Sequence, residues 1–359
     1  MQEPEYGQPI SRECSEEETA MRRSHSILGL CLTVGLLSAG APAQAQEKPV
    51  VRFQEYGKII LHLPNWVMME KGFCEKHGIK CEPVTLASAP LAQAASAAGS
   101  VDIVNSTIDT TLQAIAKGND LQIFGGYWVN NPYILVGRDG LALPHKSEGY
   151  PAVMADLKGL KVGVTTRGSS AEIFVKALLR EAGMPLDSVS YIPVGGPVTA
   201  YGAIVAKQVD AALTWDPVPA LCEAAKTCSS IVDMRKGEGP ANFKPLNETS
   251  VFLQAQRQYI AKHPDRIEAF KRALTDAVAW IQDPKNANEV LAIAKKHIVL
   301  GENIPNREKV YELMVRDAIP HFTSSLAPSS IKAWHDFLLE NKVIDKPLAV
   351  DTLLYKTAS

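Results

Sequence analysis

The chain has 359 residues, of which 37 are Lys or Arg and 39 are Asp or Glu, giving a formal net charge of −2. Removing the first 45 residues, which carry 3 of the basic and 6 of the acidic side chains, leaves 34 against 33. A charge this close to balance argues against a protein that binds nucleic acid or an anionic membrane through a basic surface. The remaining length exceeds what one compact core usually holds, so we expect two lobes.

The amino-terminal segment has the features of an export signal. Met21 is followed by two arginines, by an apolar stretch at 27–37 and by an Ala-Gln-Ala sequence that ends at Ala45. This order is typical of a charged region, a short apolar region and a small-residue cleavage site. We interpret residues 1–45 as an extension plus a signal peptide, with the start at Met21, cleavage after Ala45 and a periplasmic mature protein. The alternative for the residues before Met21 is a disordered native tail.

Two stretches of the mature chain repeat one order of elements: strand, helix, strand, helix, strand. Both copies share a Pro-Val pair in the second strand and a Val-Asp pair at the start of the third. Such alternation is typical of parallel sheets covered by helices, whose ligand sites lie at the carboxyl ends of the strands. The predicted elements are 50–53, 65–77, 81–84, 91–98 and 101–104 in the first copy, and 161–164, 171–182, 191–194, 200–207 and 209–213 in the second.

Two further apolar runs predict where the chain crosses between the lobes. Residues 133–137 and 250–253 read as strands, and each lies beside a loop rich in Gly and Pro. We therefore assign residues 46–137 and 250–359 to lobe 1 and residues 138–249 to lobe 2, with the two crossings as a hinge. The carboxyl-terminal part of lobe 1 has helical periodicity; its predicted helices are 259–263, 265–282, 287–297, 307–317 and 329–341.

Four cysteines remain after the predicted cleavage, and an oxidising compartment favours disulfides. Local pairs of Cys74 with Cys81 and of Cys222 with Cys228 would each fasten the end of a helix to the neighbouring strand. Four cysteines allow three connectivities, and the sequence does not choose among them. A zinc site is the alternative, but no Cys-x-x-Cys or nearby His completes one, so we expect no metal.

Polar residues follow predicted strands in both copies, where helix amino termini offer unpaired N–H groups to anions. The alternative for these Ser, Thr and Asn side chains is ordinary helix capping. The arginine among them is the cation expected to hold an anionic ligand. The candidate ligand-binding residues in these two segments are Asn105, Ser106 and Thr107, and Thr166, Arg167, Ser169 and Ser170.

Other candidates come from single loops, and each has a structural alternative. A glycine before a helix could let backbone amides approach a ligand or could simply form a turn. A tryptophan at the end of a strand could equally fill the core of a lobe or line a cleft. A lone histidine such as His62 more often has a structural role than a functional one. These further ligand-binding candidates are Tyr56, Asn65, Trp128, Gly196, Trp215 and Asp216.

Several catalytic and nucleotide-binding motifs are missing from the sequence. It contains no Gly-x-Gly-x-x-Gly after a strand, no phosphate-loop Gly-Lys-Thr, no Gly-x-Ser-x-Gly and no His-Glu-x-x-His. The candidate residues are hydroxyls, amides, aromatics and one arginine, which can hold a ligand but do not obviously transform it. We therefore expect a binding protein without a cofactor, and not an enzyme.

The mature chain resembles the periplasmic solute-binding proteins of ABC importers for sulfonates, taurine and nitrate, and their relatives that bind thiamine precursors. The resemblance is carried by the duplicated units, the Asp-Leu-Lys-Gly-Leu-Lys-Val-Gly run at 156–163 and the stretch from Val209 to Pro217. It implies a type II periplasmic binding protein fold, in which two α/β lobes with mostly parallel sheets are joined by two crossover strands. It also implies that the candidate loops form the pocket walls.

Two classes of function follow. The first is a monomeric binding protein that closes over a small organic anion, such as a sulfonate or a carboxylate, and delivers it to an inner-membrane ABC permease. A pyrimidine precursor of thiamine is the alternative solute. The second class is an enzyme on the same fold, such as a small lyase, although export from the cytoplasm argues against it.

Overall fold

In a computed structural model, the structure describes residues 47–57, 59–86, 88–302 and 304–356. The predicted extension and signal peptide at 1–45 lie outside these residues. Within the described ranges, no helix is long and apolar enough to cross a membrane.

The described residues form strands and helices in alternation, followed by a helical carboxyl-terminal part. The strands are β1 (Val50–Glu55), β2 (Lys80–Thr85), β3 (Val104–Thr107), β4 (Leu121–Trp128), β5 (Ile134–Arg138), β6 (Lys161–Val164), β7 (Ser190–Pro193), β8 (Ala211–Thr214), β9 (Cys228–Asp233) and β10 (Val251–Gln256). The α-helices are α1 (Leu63–Glu70), α2 (Phe73–Lys76), α3 (Ala89–Ala97), α4 (Ile108–Ala116), α5 (Ser170–Glu181), α6 (Pro197–Val205), α7 (Val218–Ala225), α8 (Arg257–Lys262), α9 (Pro264–Gln282), α10 (Ala287–His297), α11 (Arg307–Ala318) and α12 (Pro328–Glu340).

The strands of the first copy pair as the repeat predicts, with one antiparallel addition. β1 pairs in parallel with β2, and a parallel bridge from Phe53 to Ile103 connects β1 to the residues just before β3. β10 then lies between β3 and β4 and is antiparallel to both. The strands therefore follow the order β2, β1, β3, β10, β4, with β1 joined to the segment before β3 by the bridge, by backbone hydrogen bonds and by the Arg52–Asp102 ion pair.

The second copy has the same arrangement in a continuous five-stranded sheet. Its order is β7, β6, β8, β5, β9, with β6 parallel to its neighbours and β5 antiparallel to both β8 and β9. β5 therefore occupies the place that β10 has in the first set. The prediction put residues 133–137 in lobe 1, but their pairing belongs to the second sheet, because the strand is inserted between β8 and β9.

Helix α9 illustrates how apolar periodicity places a helix. Ile267, Phe270, Leu274 and Val278 recur at spacings of three and four and are all buried. They pack in the same hydrophobic cluster as Phe53 of β1, whose ring centroid is 5.9 Å from that of Phe270. An amphipathic helix of this kind is held by burial of its apolar face on the sheet.

The last long helix, which the sequence analysis assigns to lobe 1, also packs against a helix of the second copy. Trp334 and Phe337 of α12 contact Phe174 of α5, with ring centroids 5.5 Å and 6.0 Å apart. The same hydrophobic cluster includes Ile108 of α4. α12 thus packs against helices that follow both sets of strands, so these helices share one core.

Two disulfides are present, between Cys74 and Cys81 and between Cys222 and Cys228. The first joins α2 to β2, and the second joins α7 to the first residue of β9. Both are the local pairs considered in the sequence analysis, which left the choice among the three connectivities open. Each connects a helix with the strand that follows it and spans only 7 and 6 residues, respectively, so each closes a short loop.

Candidate functional site

The carboxyl end of β3 contacts the amino terminus of α5. The hydroxyls of Thr107 and Ser170 are 3.4 Å apart, and the Ser170 hydroxyl donates to Oδ2 of Asp109 at 2.5 Å. Thr107 ends β3 and Asp109 lies in the first turn of α4, whereas Ser170 opens the helix that covers the second sheet. These three residues therefore join the two copies of the repeat at the strand ends where ligand sites are expected.

His62 lies at the centre of the polar residues beside this contact. The ring of His62 is fully buried, and its Nε2 accepts a hydrogen bond of 2.8 Å from the backbone N–H of Tyr56. Its Nδ1 is 3.3 Å from the side-chain nitrogen assigned to Asn105 and 3.5 Å from that of Asn65. Tyr127 donates its hydroxyl hydrogen to Oδ1 of Asn65 at 3.0 Å.

These contacts fix the protonation of the histidine. Burial lowers the pKa of His62 to about 3, so the ring is neutral at pH 7. Because Nε2 accepts a hydrogen bond, the single ring proton lies on Nδ1, which then donates. The best-placed acceptor is the amide oxygen of Asn105, since that of Asn65 already accepts from Tyr127. We therefore assign the Asn105 side chain with its oxygen toward His62 and its NH₂ pointing away.

Aromatic side chains lie beside the polar groups. Tyr133 packs edge to face against Trp215 with ring centroids 5.6 Å apart, and it also contacts Phe174 at 5.5 Å. Burial raises the pKa of Tyr56 and Tyr133 above its ordinary value, and the Asp109 carboxylate close to both phenols raises it further. Both tyrosines are therefore neutral hydroxyls. Together these groups form what we call the inter-sheet cluster: Tyr56, His62, Asn65, Asn105, Thr107, Asp109, Tyr133, Ser170 and Trp215.

Three side-chain atoms of the inter-sheet cluster are buried and make no hydrogen bond within the described residues as placed. They are the Tyr56 hydroxyl, Oδ1 of Asn105 and Oδ1 of Asp109. With the Asn105 amide turned as His62 requires, its oxygen is satisfied and its NH₂ becomes the free group. Buried polar groups without partners are uncommon and costly in proteins. The cluster thus offers a donor, a hydroxyl and a carboxylate oxygen to a ligand.

Ser106, a predicted site residue, is held by several polar side chains. Its hydroxyl accepts from Nε2 of Gln254 at 3.0 Å and lies 3.1 Å from the hydroxyl of Thr111. The Ser106 hydroxyl is also close enough to the phenol of Tyr56 to oppose the rise in the pKa of that group, so Ser106 stays beside the inter-sheet cluster. The prediction treated residues 105–107 as a loop, but they belong to β3.

The second predicted segment is only partly brought to the cluster. Ser170 belongs to it, whereas Thr166, Arg167 and Gly196 are exposed and Ser169 is half-buried. The Arg167 guanidinium is 3.2 Å from the Glu172 carboxylate and lies 5.2 Å above the ring of Tyr191. Arg167 therefore pairs within its own lobe.

Trp128 and Asp216 are buried in a separate ionic region. Trp128 packs on His321 at 5.1 Å, and Asp216 is 3.6 Å from the guanidinium of Arg235. Arg235 also pairs with Asp233 at 2.9 Å. Burial raises the pKa of Asp216 to about 6, while the nearby Arg235 opposes this shift. Among the described residues, Nε1 of Trp128 and Oδ1 of Asp216 make no hydrogen bond, so Trp128 and Asp216 remain predicted ligand-binding residues.

Two cavities open outside the inter-sheet cluster. One, of about 570 Å³, lies between α7, β9 and α11 and includes Arg235, His321 and the Cys222–Cys228 disulfide in its wall. The other, of about 460 Å³, lies beside β1 and α8 and includes Arg52 and Tyr259. None of the predicted ligand-binding residues lines either cavity.

Sequence reasoning missed Asp109 and Tyr133 as site residues and gave His62 a structural role. Asp109 stands in the first turn of α4, where an acidic residue is ordinary. Tyr133 begins what was read as a crossing strand. The available signal was position, because each is within three residues of a strand end that faces the second lobe.

Comparison with known proteins finds a matching family model and relatives of similar sequence. The family model described as NMT1/THI5 like matches residues 60–287. A Brucella abortus protein named as a binding protein is 27% identical over 230 residues, covering 62% of this chain and 62% of that protein. The 4-amino-5-hydroxymethyl-2-methylpyrimidine phosphate synthase of Schizosaccharomyces pombe is 25% identical over 229 residues, covering 62% of this chain and 63% of that protein. The matches thus span less than two thirds of these relatives.

A solved structure extends the similarity to nearly the whole described chain. The alkanesulfonate-binding protein SsuA of Xanthomonas axonopodis pv. citri, bound to MOPS, superposes with a TM-score of 0.67 and 19% sequence identity. The superposition covers 87% of this chain and 99% of that one. At this level of identity the likeness concerns the fold alone.

Proposed function

Because the chain belongs to the NMT1/THI5-like family and has the periplasmic binding protein fold, we propose that it is the solute-binding component of an ABC import system. In this proposal the mature protein acts in the periplasm as a monomer. It holds one small organic molecule between its two sets of strands and delivers it to an inner-membrane ABC permease. The signal peptide that would export it lies within residues 1–45, from Met21 to Ala45.

The contact of Thr107, Asp109 and Ser170 is the observation that carries the proposal. It joins the two copies of the repeat at their strand ends, where α/β sheets bind ligands. Buried side-chain atoms there have free hydrogen-bonding capacity. A small molecule that enters between the copies would satisfy these groups and contact both at once, which is how a solute shifts a two-lobed protein toward its closed state.

Binding without chemical change is the activity that these residues support best. The neutral His62 ring is engaged by the Tyr56 backbone and an amide, so it is not positioned as a free base for a solute. Asn65 and Tyr127 bond to each other. The yeast synthase among the relatives makes the enzymatic alternative testable, and its name adds pyrimidines to the solutes worth testing.

The sequence favoured an organic anion, such as taurine, an alkanesulfonate or a carboxylate. That expectation depended on Arg167, whose guanidinium instead pairs with Glu172 and stacks on Tyr191. The proposal therefore keeps these anions as one class of solute to be tested. It does not depend on them.

A solute screen with analysis of the recovered solute tests the proposed function. Purified mature protein is heated with sulfonates, carboxylates, nitrate, amines, amidines and aminopyrimidines in turn. A solute at 100 times its Kd would stabilise the folded state by about 2.7 kcal/mol, which raises Tm by several degrees. We expect at least one class to do so and to be recovered unchanged.

Two outcomes would contradict the proposed function. Recovery of a chemically altered solute after prolonged incubation would indicate an enzyme on this fold. If none of the classes raised Tm, the solute-binding role would be rejected for these compounds and the periplasmic import role would lose its support.

A further inference from the structure

We propose that the inter-sheet cluster selects solutes that donate a hydrogen bond from nitrogen, and that Asp109 is the residue that accepts it. Cations such as amidinium groups and neutral amides belong to this class, whereas sulfonates, nitrate and carboxylates do not. The inference rests on the proposed function and specifies the solute at the same site.

The carboxylate of Asp109 has one oxygen committed and one free. Its Oδ2 accepts the hydroxyl hydrogen of Ser170 at 2.5 Å. Its Oδ1 is buried without a hydrogen-bond partner among the described residues, and the whole residue is 1% exposed. An ionised carboxylate accepts hydrogen bonds and donates none. The free oxygen is therefore complementary to an N–H group.

The groups around Asp109 leave it without a fixed counter-charge. Tyr56 and Tyr133 are neutral phenols that lie close to the carboxylate, and His62 is neutral at pH 7. The cation expected at this place, Arg167, pairs with Glu172 at 3.2 Å. Burial raises the pKa of Asp109, opposed by the hydroxyls of Ser170 and Thr107. A bound cation would supply the missing positive charge.

Electrostatics separates the two classes of solute. An anion placed next to a buried carboxylate meets like-charge repulsion in a medium that screens poorly. A cation with N–H groups makes a charge-assisted hydrogen bond, which is stronger than a neutral one. A hydrogen bond to a charged group is worth about 10- to 150-fold in affinity.

Tyr56 and the turned amide of Asn105 add a second recognition element. The amide NH₂ and the phenol hydroxyl can each donate to an acceptor atom on the solute, while Asp109 accepts. Such a donor and acceptor set fits a solute with a nitrogen acceptor next to an N–H donor. Trp215 and Tyr133 provide aromatic surface at the same place, on which a planar group can pack.

Two matched series of solutes test the inference on the wild-type protein. The first is benzamidine, benzamide, benzoate and benzenesulfonate, and the second is acetamidine, acetamide, acetate and methanesulfonate. Each series keeps the apolar part constant and changes the polar group. We expect the amidine in at least one series to bind at least tenfold more tightly than its carboxylate and sulfonate partners by calorimetry.

Two variants test whether the preference for amidines depends on the Asp109 carboxylate. Asp109→Asn keeps the shape but removes the charge, and should weaken amidine binding at least tenfold while leaving benzamide within about threefold. The control is Asp120→Asn, because Asp120 is 70% exposed and pairs with Arg257 at the surface; it should bind like wild type.

The outcomes distinguish this inference from the proposed function. Tighter binding of the sulfonate or carboxylate members would overturn the inference but leave a solute-binding protein. If no nitrogen compound binds but another class of solute stabilises the protein, the inference would also be overturned, and the proposed function would stand. If Asp109→Asn does not fold, the ranking of the wild-type series alone decides.

Discussion

His62 shows how one buried side chain can determine the orientation of another. Its Nε2 accepts from the Tyr56 backbone at 2.8 Å, and this places its proton on Nδ1 toward Asn105. Neither contact follows from the sequence, because three residues of three different elements must meet. The polar residue types of the site were predictable, but their hydrogen-bond directions were not.

The neutral state of His62 makes the free energy of unfolding depend on pH. Its pKa is about 3 in the folded protein and about 6.5 in an unfolded chain. The unfolded state therefore binds the proton first, so this contribution to stability is complete above pH 6.5 and is lost as the pH falls toward 3. We expect the stability difference between wild type and His62→Gln to fall by about 2 kcal/mol from pH 7 to pH 5.

Urea unfolding of both proteins at several pH values measures this difference. Burial raises the pKa of Glu55 to about 7, which acts in the opposite direction between pH 4.5 and 7. That contribution is common to both proteins and cancels in the comparison. A difference that stays constant with pH would show that His62 is not held neutral.

At the scale of elements, the sequence predicted helices and strands well where apolar periodicity is strong, as in α9. It did less well where geometry decides. Gly72 has a φ of +68° and separates α1 from α2, although residues 65–77 were predicted as one helix. Thr107 was placed in a loop but pairs with Val251 of β10. Pairing with a strand that lies over a hundred residues away leaves no local signal.

Gly126 of β4 should tolerate no side chain. A Cβ placed there would lie 1.9 Å from the backbone oxygen of Ser325, which cannot move independently. We expect Gly126→Ala to lower the free energy of unfolding by about 2 kcal/mol or more. The control is Gly202→Ala in α6, where nothing lies within 4 Å of the added carbon. It should stabilise the protein by about 0.5–1 kcal/mol.

Thermal or urea unfolding of the two alanine variants distinguishes these cases. Equal stability of Gly126→Ala and wild type would mean that β4 and the segment at Ser325 are not in close contact. A loss of stability in Gly202→Ala would argue against helix α6.

The disulfides give a second prediction at this scale. The mature protein, denatured without reductant, should titrate with no free thiol, and peptide mapping should recover Cys74 linked to Cys81 and Cys222 linked to Cys228. Removing the first bridge by Cys74→Ser with Cys81→Ser should cost about 2 kcal/mol, because it closes a short loop. Four free thiols, or a crossed pairing, would contradict this arrangement.

For the whole molecule, the duplicated order of elements was enough to predict the fold class and the family resemblance, and both are confirmed. The assignment of segments to lobes was harder. β5 follows the first copy in sequence yet lies in the second sheet, and α12 packs on α5. In both cases the partner is distant in sequence, so composition and periodicity carry no information about it.

The central claim is that one small molecule binds where β3 meets α5, and native mass spectrometry of the mature protein tests it most directly. Thr107→Phe fills the contact with Ser170, and Thr275→Phe is the control on an exposed part of α9, with folding of both checked by circular dichroism. With the best solute from the screen, wild type and Thr275→Phe should each retain one molecule per chain, and Thr107→Phe should lose at least tenfold in affinity. Wild-type binding by a folded Thr107→Phe protein would contradict the account.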